Sequence, residues 1–168
     1  GGGGGGGATG GGATGQARDF EAALGLSASV RVRFDEVSGL HLTCQRAEDC
    51  FAAQGYYHAA HRFTQMDINR LFPQGRLTER IGNLALDIDQ YSRLVFSRRD
   101  GSRIEQQMWE ASSEESKRML MAYARGVNAW LMRWRASDGR SDDLGEVALS
   151  EEYSVSIFDT STITDWDP

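Results

Sequence analysis

Residues 55–82 gather most of the side chains in this chain that could do chemistry. His58 and His61 stand at i, i+3, Gln65-Met66-Asp67 follows, and Arg62, Arg70, Arg76 and Arg80 are interleaved with Asp67 and Glu79. Such a set suits metal binding by the histidines, nucleic-acid binding by the arginines, or internal ion pairing. The histidine spacing puts both imidazoles on one helical face. A zinc site, however, needs three or four protein ligands, and Asp67 falls nearly on the opposite side of a helix from His61. The histidines are therefore expected to be structural. The arginines share their segment with Asp67, Glu79, Asp87 and Asp89, so the local charge nearly cancels. Arg–carboxylate pairs that fix a helix-turn-helix geometry are expected there rather than a phosphate-binding helix.

Elsewhere the chemistry is sparser. His41 is a lone histidine, and no serine or cysteine nucleophile in a local motif stands near it, so a structural role is expected rather than that of a general base. Gly-x-Ser-x-Gly, P-loop and dinucleotide patterns are absent from the sequence, and no Lys-Ser/Thr follows the glycine run at residues 1–7. Trp109, Trp130 and Trp134 follow helix faces and suit a core or an interface. Cys44 and Cys50 are the two cysteines. A strand-to-helix turn could bring their Cα atoms within bridging distance. They would form a disulfide in an exported protein and remain thiols in a cytosolic one. Their spacing does not assemble four zinc ligands.

The elements that must position these groups come from 168 residues, one domain or a large piece of one. A hydrophobic fraction of 40% is enough for a packed core, while 24 acidic against 18 basic residues give a net charge of −6. That balance argues against a general nucleic-acid binder. No apolar run is long enough to span a membrane. Residues 1–15, glycine with alanine and threonine, read as a flexible tether, and residues 16–168 as the folded portion. Residues 16–26 suit a short helical turn. Val30, Val32 and Phe34 alternate with arginines as in a half-buried strand; Ser38-Gly39 turns, and 40–44 is the partner strand of a hairpin. Residues 47–72 read as a helix with Phe51, Ala52, Gly55, Ala59, Phe63, Met66 and Arg70 mainly on one stripe, stopped by Pro73. A short helix at 77–81 precedes Gly82. A helical block over 84–110 is interrupted near Asp100-Gly101. A last helix opens on a capping box of Ser112 and Glu115, with Leu120, Tyr123, Ala124, Val127, Leu131 and Trp134 forming its apolar face. Gly126 inside it implies close packing. Ser137–Gly145 reads as a loop, and Tyr153, Val155 and Ile157 as a short strand. The fold class is α+β: mostly helical, with one β-hairpin. A hairpin alone is marginal and needs more strands or a partner surface. The glycine start, with no leader before it, reads as a processed end. The Trp166-Asp167-Pro168 terminus reads as a cut inside a domain.

The order of these pieces resembles the α chain of the penicillin acylase (penicillin amidase) family of N-terminal-nucleophile hydrolases. The matching residues are Asp35-Glu36 and His41, Gly55-Tyr56, Arg62, Gln65-Met66-Asp67 and Arg70. They continue through Gly75, Glu79, Gly82, Asp89 and Arg93 to Tyr123-Ala124-x-Gly126-x-Asn128-Ala129-Trp130. The match covers roughly residues 30–135 and, more weakly, Trp166-x-Pro168. As an ordered set it is specific, although no single piece is. The family usually has Gly-x-Pro-His in the hairpin, where this chain has Ser38-Gly39-Leu40-His41. It usually has an acidic residue before the helix arginine, where this chain has His61, which removes an ion-pair partner of Arg62.

The resemblance implies a precursor that is exported, to the periplasm or cell envelope, and cut autocatalytically into α and β chains that share an αββα core. The nucleophile is then the N-terminal Ser of the β chain, with its own α-amino group as base. An unperturbed α-amino pKa of about 8 leaves an appreciable fraction unprotonated at neutral pH. The oxyanion is held by preorganised β-chain donors. The α chain is scaffold and helps to form the acyl pocket. Substrates in the family include β-lactam antibiotics, acyl-homoserine lactones and acylated lipopeptides. No cofactor is required; the resemblance allows calcium, with no ligand assigned in this chain, and no catalytic or pocket residue is carried over. The glycine run is similar to the stretch after a lipidated cysteine in bacterial lipoproteins, which implies a lipid tether through a cysteine that the sequence does not contain. The competing expectation is a stand-alone helical binding or interaction domain without catalysis. A histidine-based metal protein ranks last.

Overall fold

The structure, a computed structural model, describes residues 24–37, 39–137 and 163–167. The tether, most of the 16–26 turn, Ser38, most of the 137–145 loop, the strand expected around residues 153–157 and Pro168 lie outside the described residues. In chain order the elements are β1 (Arg31–Phe34), β2 (Leu40–Thr43), α1 (Ala47–Gln74), α2 (Thr78–Ile81), a 3-10 turn (Gly82–Ala85), α3 (Leu86–Val95), α4 (Ile104–Ala111) and α5 (Glu114–Ala136). The class is α+β, mostly helical with a two-stranded antiparallel hairpin, as the sequence implies.

The hairpin pairs Arg31 with Thr43, Val32 with Leu42, Arg33 with His41 and Phe34 with Leu40. Alternation turns Val32, Leu40 and Leu42 to one half-buried face and the arginines, His41 and Thr43 to solvent. Asp35 closes the turn. Its Oδ1 accepts the N–H groups of Gly39 (2.6 Å) and Val37 (3.1 Å), and the Asp35 N–H donates to the Gly39 carbonyl.

The body of the fold is the packing of α1 against α5. Ala52, Tyr56, Ala59 and Phe63 of α1 meet Ala122, Val127, Trp130 and Leu131 of α5 in one buried cluster. Phe63 and Trp130 have ring centroids 4.9 Å apart, and Trp134 stacks on Trp130 at 6.4 Å. Two glycines set the distance between the helices. A methyl on Gly126 would run into the carbonyl oxygen of Ala52, and one on Gly55 into that of Tyr123. The close packing expected at Gly126 is thus present, and Gly55 is its counterpart on the facing helix.

Four sequence expectations are corrected. Pro73 does not stop α1, which runs on to Gln74. The stop is Gly75, whose φ of 60° and ψ of 45° let its N–H and that of Arg76 bond back to the carbonyls of Phe72 and Leu71. The α1 stripe is not continuous, because Arg62 breaks helical geometry at φ −143°, ψ 24°. Phe51 is exposed, while Tyr56, Asp67 and Leu71 are buried. The cap of α5 is Ser113, not Ser112: the Ser113 hydroxyl accepts the Ser116 N–H at 3.1 Å, while Ser112 donates back to the Met108 carbonyl at the end of α4. Leu120 on α5 is exposed and Ala122 takes the buried place.

Candidate functional site

Asp67 is the centre of the segment 55–82. It is wholly buried; its Oδ2 accepts from Nε of Arg80 at 2.6 Å and its Oδ1 from Nη2 of Arg70 at 2.8 Å. Arg80 is as deeply buried as its partner. An unpaired buried charge is costly, so this pair fixes where α2 sits against α1. Arg70 extends the chain of contacts. Its guanidinium lies over the Trp166 ring, 5.1 Å from the centroid, and its Nη1 donates to the Asp165 carbonyl at 3.2 Å.

A second lock holds the turn after α1. Asp89 of α3 is buried and accepts the N–H groups of Leu77 and Thr78, each at 2.8 Å, so it caps α2 from another helix. Burial pushes its carboxyl up, but the N–H groups of Thr78 and Leu77 and the nearby Arg93 hold it below the usual value. Arg93 donates to the Gly75 carbonyl at 3.0 Å. Gly75 has no room for a side chain between the Arg93 stem and the Asp89 carbonyl. Arg76 clamps Glu79 with two bonds of 2.6 and 2.8 Å. The hydrogen bond holds the Glu79 carboxyl below, and the Arg76 guanidinium above, their ordinary values. Gly82 adopts φ 63°, ψ −152°, a conformation side chains rarely take.

The third lock joins α5 to the C-terminal segment. Asn128 donates through Nδ2 to the Trp166 carbonyl at 2.9 Å and accepts the Trp166 N–H on Oδ1 at 2.7 Å. Arg135 holds Asp165 at 2.7 Å and the Ile163 carbonyl at 3.2 Å. Trp130 is core. Met66 is half-buried against the same core, while Gln65 and Arg62 are exposed.

The histidines are dispersed. His41 donates through Nε2 to Asp35 at 2.9 Å, and that bond, with the Gly39 N–H, holds the Asp35 carboxyl below its usual value. His58 shares a hydrogen bond of 3.0 Å with the Tyr123 hydroxyl, and His61 stands edge-on to Phe34. Among the described residues, no three His, Cys, Asp or Glu side chains converge as metal ligands, so no calcium or zinc ligand set is assigned to them. Cys44 and Cys50 form a disulfide with Cα atoms 5.6 Å apart, tying the end of β2 to the first turn of α1.

Two fixing contacts escaped the sequence reading. Asp49, buried in the first turn of α1, accepts the N–H groups of Ser27 (2.8 Å) and Ala28 (3.2 Å). The Tyr56 hydroxyl accepts from Arg133, whose guanidinium also faces the ring. An acid in the first turn of α1 was the available signal for the former; the latter pair, 77 residues apart, left none.

Open concavities of about 580 Å³ beside Arg31, Arg33 and His41 and about 510 Å³ beside Met121, Asn128, Met132 and Trp166 accompany these locks. The first is lined by Thr43 as well as His41, but the imidazole is bonded to Asp35, and among the described residues no hydrogen bond joins it to the Thr43 hydroxyl. Asp67, Arg70, Gly75, Asp89 and Asn128 are thus assembled as braces, Asp35 and His41 close the hairpin, and Arg62 and Gln65 stay on the surface.

Comparison with known proteins gives these braces a context. The sequence pattern of the family described as Penicillin amidase matches residues 29–168. The chain is 36% identical over 129 residues to the acyl-homoserine lactone acylase QuiP of Pseudomonas fluorescens (strain Pf0-1), a match covering 77% of this chain and 15% of that protein. It is 37% identical over 108 residues to the penicillin acylase 2 proenzyme of Pseudomonas sp. (strain SE83), covering 64% of this chain and 13% of that one. The chain therefore spans only about one seventh of the curated relatives it matches. Among solved structures, a thermostable penicillin G acylase from Alcaligenes faecalis superposes with a TM-score of 0.61 at 25% identity, covering 75% of this chain and 60% of that chain.

Proposed function

The chain belongs to the penicillin amidase family, and from that premise we propose that it is the α chain of a two-chain acylase that hydrolyses an acyl-amide bond. The observation that carries this reading is the fate of the family motif. Asp67, Arg70, Gly75, Asp89 and Asn128 all lie in contacts between helices or between a helix and the C-terminal segment. A chain whose motif residues brace one another is a scaffold, and its chemistry belongs to another part of the protein. The nucleophile is then the N-terminal Ser of a β chain cut from the same precursor. The α-amino group of that Ser acts as base, and the two chains complete an αββα core.

Two comparisons support processing into chains. One relative is named as a proenzyme. Nearly the same share of this chain, 77% and 75%, fills 15% of a curated relative and 60% of the solved penicillin G acylase chain. The solved chain is therefore a much shorter polypeptide than the relative. The acylase names of the relatives make an acyl-homoserine lactone the first substrate to test, followed by a β-lactam antibiotic; an acylated lipopeptide is added from the family resemblance. The disulfide supports an exported protein of the periplasm or envelope, since such bonds persist in oxidising compartments. A lipid tether through a cysteine ahead of the glycine run remains part of this reading; recovery of all the protein as a soluble periplasmic species would remove it.

The test is denaturing mass spectrometry with N-terminal sequencing on the product purified from its native gene. A second, larger chain beginning with Ser, Thr or Cys is expected. A single species of this mass, folded and alone, would sink the two-chain reading and leave a binding domain.

A further inference from the structure

The 3-10 turn and helix α3 are together built inside out. Between residues 82 and 95 three side chains are buried, Ala85, Asp89 and Ser92, at the i, i+4, i+7 spacing of one helical face. All three are small or polar. The large apolar side chains of the same stretch point the other way: Leu84 is 80% exposed, Tyr91 62% and Leu94 79%, with Leu86, Ile88 and Val95 between 41% and 49%. A surface helix normally turns its apolar stripe to the core and its polar residues to water. Here the inward face is spent on Asp89, whose carboxylate caps α2, and the apolar residues are left outside. Single exposed apolar residues are ordinary, but a contiguous set along the 3-10 turn and α3 marks an interaction surface.

We propose that the outward face of α3 is the seat of the second chain released from the same precursor. This inference rests on the two-chain reading above and assigns it a surface. The occupant follows from chain length: the curated relatives continue far beyond the stretch that this chain matches, which makes up about 15% of them. The apolar mass needed to cover α3 is therefore available within the same gene product. Leu84, Ile88, Tyr91 and Val95 recur at i, i+4, i+7 and i+11, so they form one continuous apolar stripe, with Leu94 beside it.

The experiment uses the full gene product with a photo-crosslinking amino acid in place of Tyr91 or, separately, Leu94. After irradiation, a covalent adduct between this chain and the second chain is expected. An adduct between two copies of this chain, or no adduct although mass spectrometry of the sample shows the second chain, would overturn the assignment. If no second chain is present, the two-chain reading has failed and takes this surface with it. As an independent arm, Tyr91→Asp with Leu94→Asp should lower recovery of the two-chain complex by roughly tenfold or more, the scale on which interface hot spots act. Unchanged recovery would count equally against the proposal. Both side chains are solvent-exposed within this chain, so the substitutions spare its own core.

Discussion

Asn128 and Trp166, 38 residues apart, are joined as two amides facing each other: the side chain of one donates to and accepts from the backbone of the other. The pairing uses both halves of the carboxamide, so Asp in its place would lose the donor and Leu both bonds. It makes the C-terminal segment a part of the α5 surface.

Asn128→Ala should therefore release residues 163–167. The cost expected from leaving the Trp166 N–H and carbonyl without these partners is about 1–3 kcal/mol. Amide hydrogen exchange should accelerate at Trp166 and leave the Phe63–Trp130 core protected. Unaltered protection at Trp166 would show that Arg70 and Arg135 suffice to hold the segment.

Asp67→Ala should be among the most damaging substitutions. It removes the carboxylate that accepts from Arg80, 1% exposed, and from Arg70, and a loss of about 3–5 kcal/mol is expected from removing one member of a buried pair. Replacing Asp67 and Arg80 together by leucine should cost less than Asp67→Ala alone. Denaturant unfolding of the two variants in the full protein decides the matter; a double replacement worse than the single one would show that the pair contributes net stability.

Gly126→Ala should reverse the usual sign of a helix substitution. In an open helix the change gains up to about 1 kcal/mol. Here the methyl meets the Ala52 carbonyl, and overpacking should cost about 1–3 kcal/mol. Gly55→Ala should behave alike, since it faces Tyr123 across the same crossing. A thermal midpoint at or above that of the parent would mean that α1 and α5 separate at little cost.

Stability should fall as the pH drops below the ordinary histidine value of 6.5. Desolvation, and then the neighbouring charge of His61, hold His58 below that value. The folded state therefore binds fewer protons than the unfolded chain in the window beneath it, and stability rises with pH across that window. His58→Gln should flatten the part of the slope due to this residue. Thermal midpoints measured at about pH 7.5 and about pH 5, either side of histidine titration, test it; parallel slopes in parent and variant would assign the effect to other groups.

What the sequence made legible was the class, the hairpin, the order of helices and the fact that Arg70, Arg76 and Arg80 answer to nearby acids; Arg62, expected to do the same, is exposed. These follow from periodicity and local charge. The partners themselves were hidden, because Asp67 reaches Arg80 across a turn and Asp89 caps α2 from a different helix. Helix ends were read less well. Gly75 overrode Pro73 because a left-handed residue can close the last turn, whereas proline removes only one bond. Ser113 displaced Ser112 because the neighbouring hydroxyl was already engaged with the end of α4. Asp49 was visible as a first-turn acid but not as the anchor of Ser27 and Ala28, 22 and 21 residues away.

Arg135 gives the fold one more property. The last turn of α5 holds Ile163 and Asp165, so the chain leaves α5 near Ser137 and is fastened again beside the point of departure. One guanidinium thereby couples the end of α5 to the stretch 163–165, so that fraying of this helix end loosens the stretch as well.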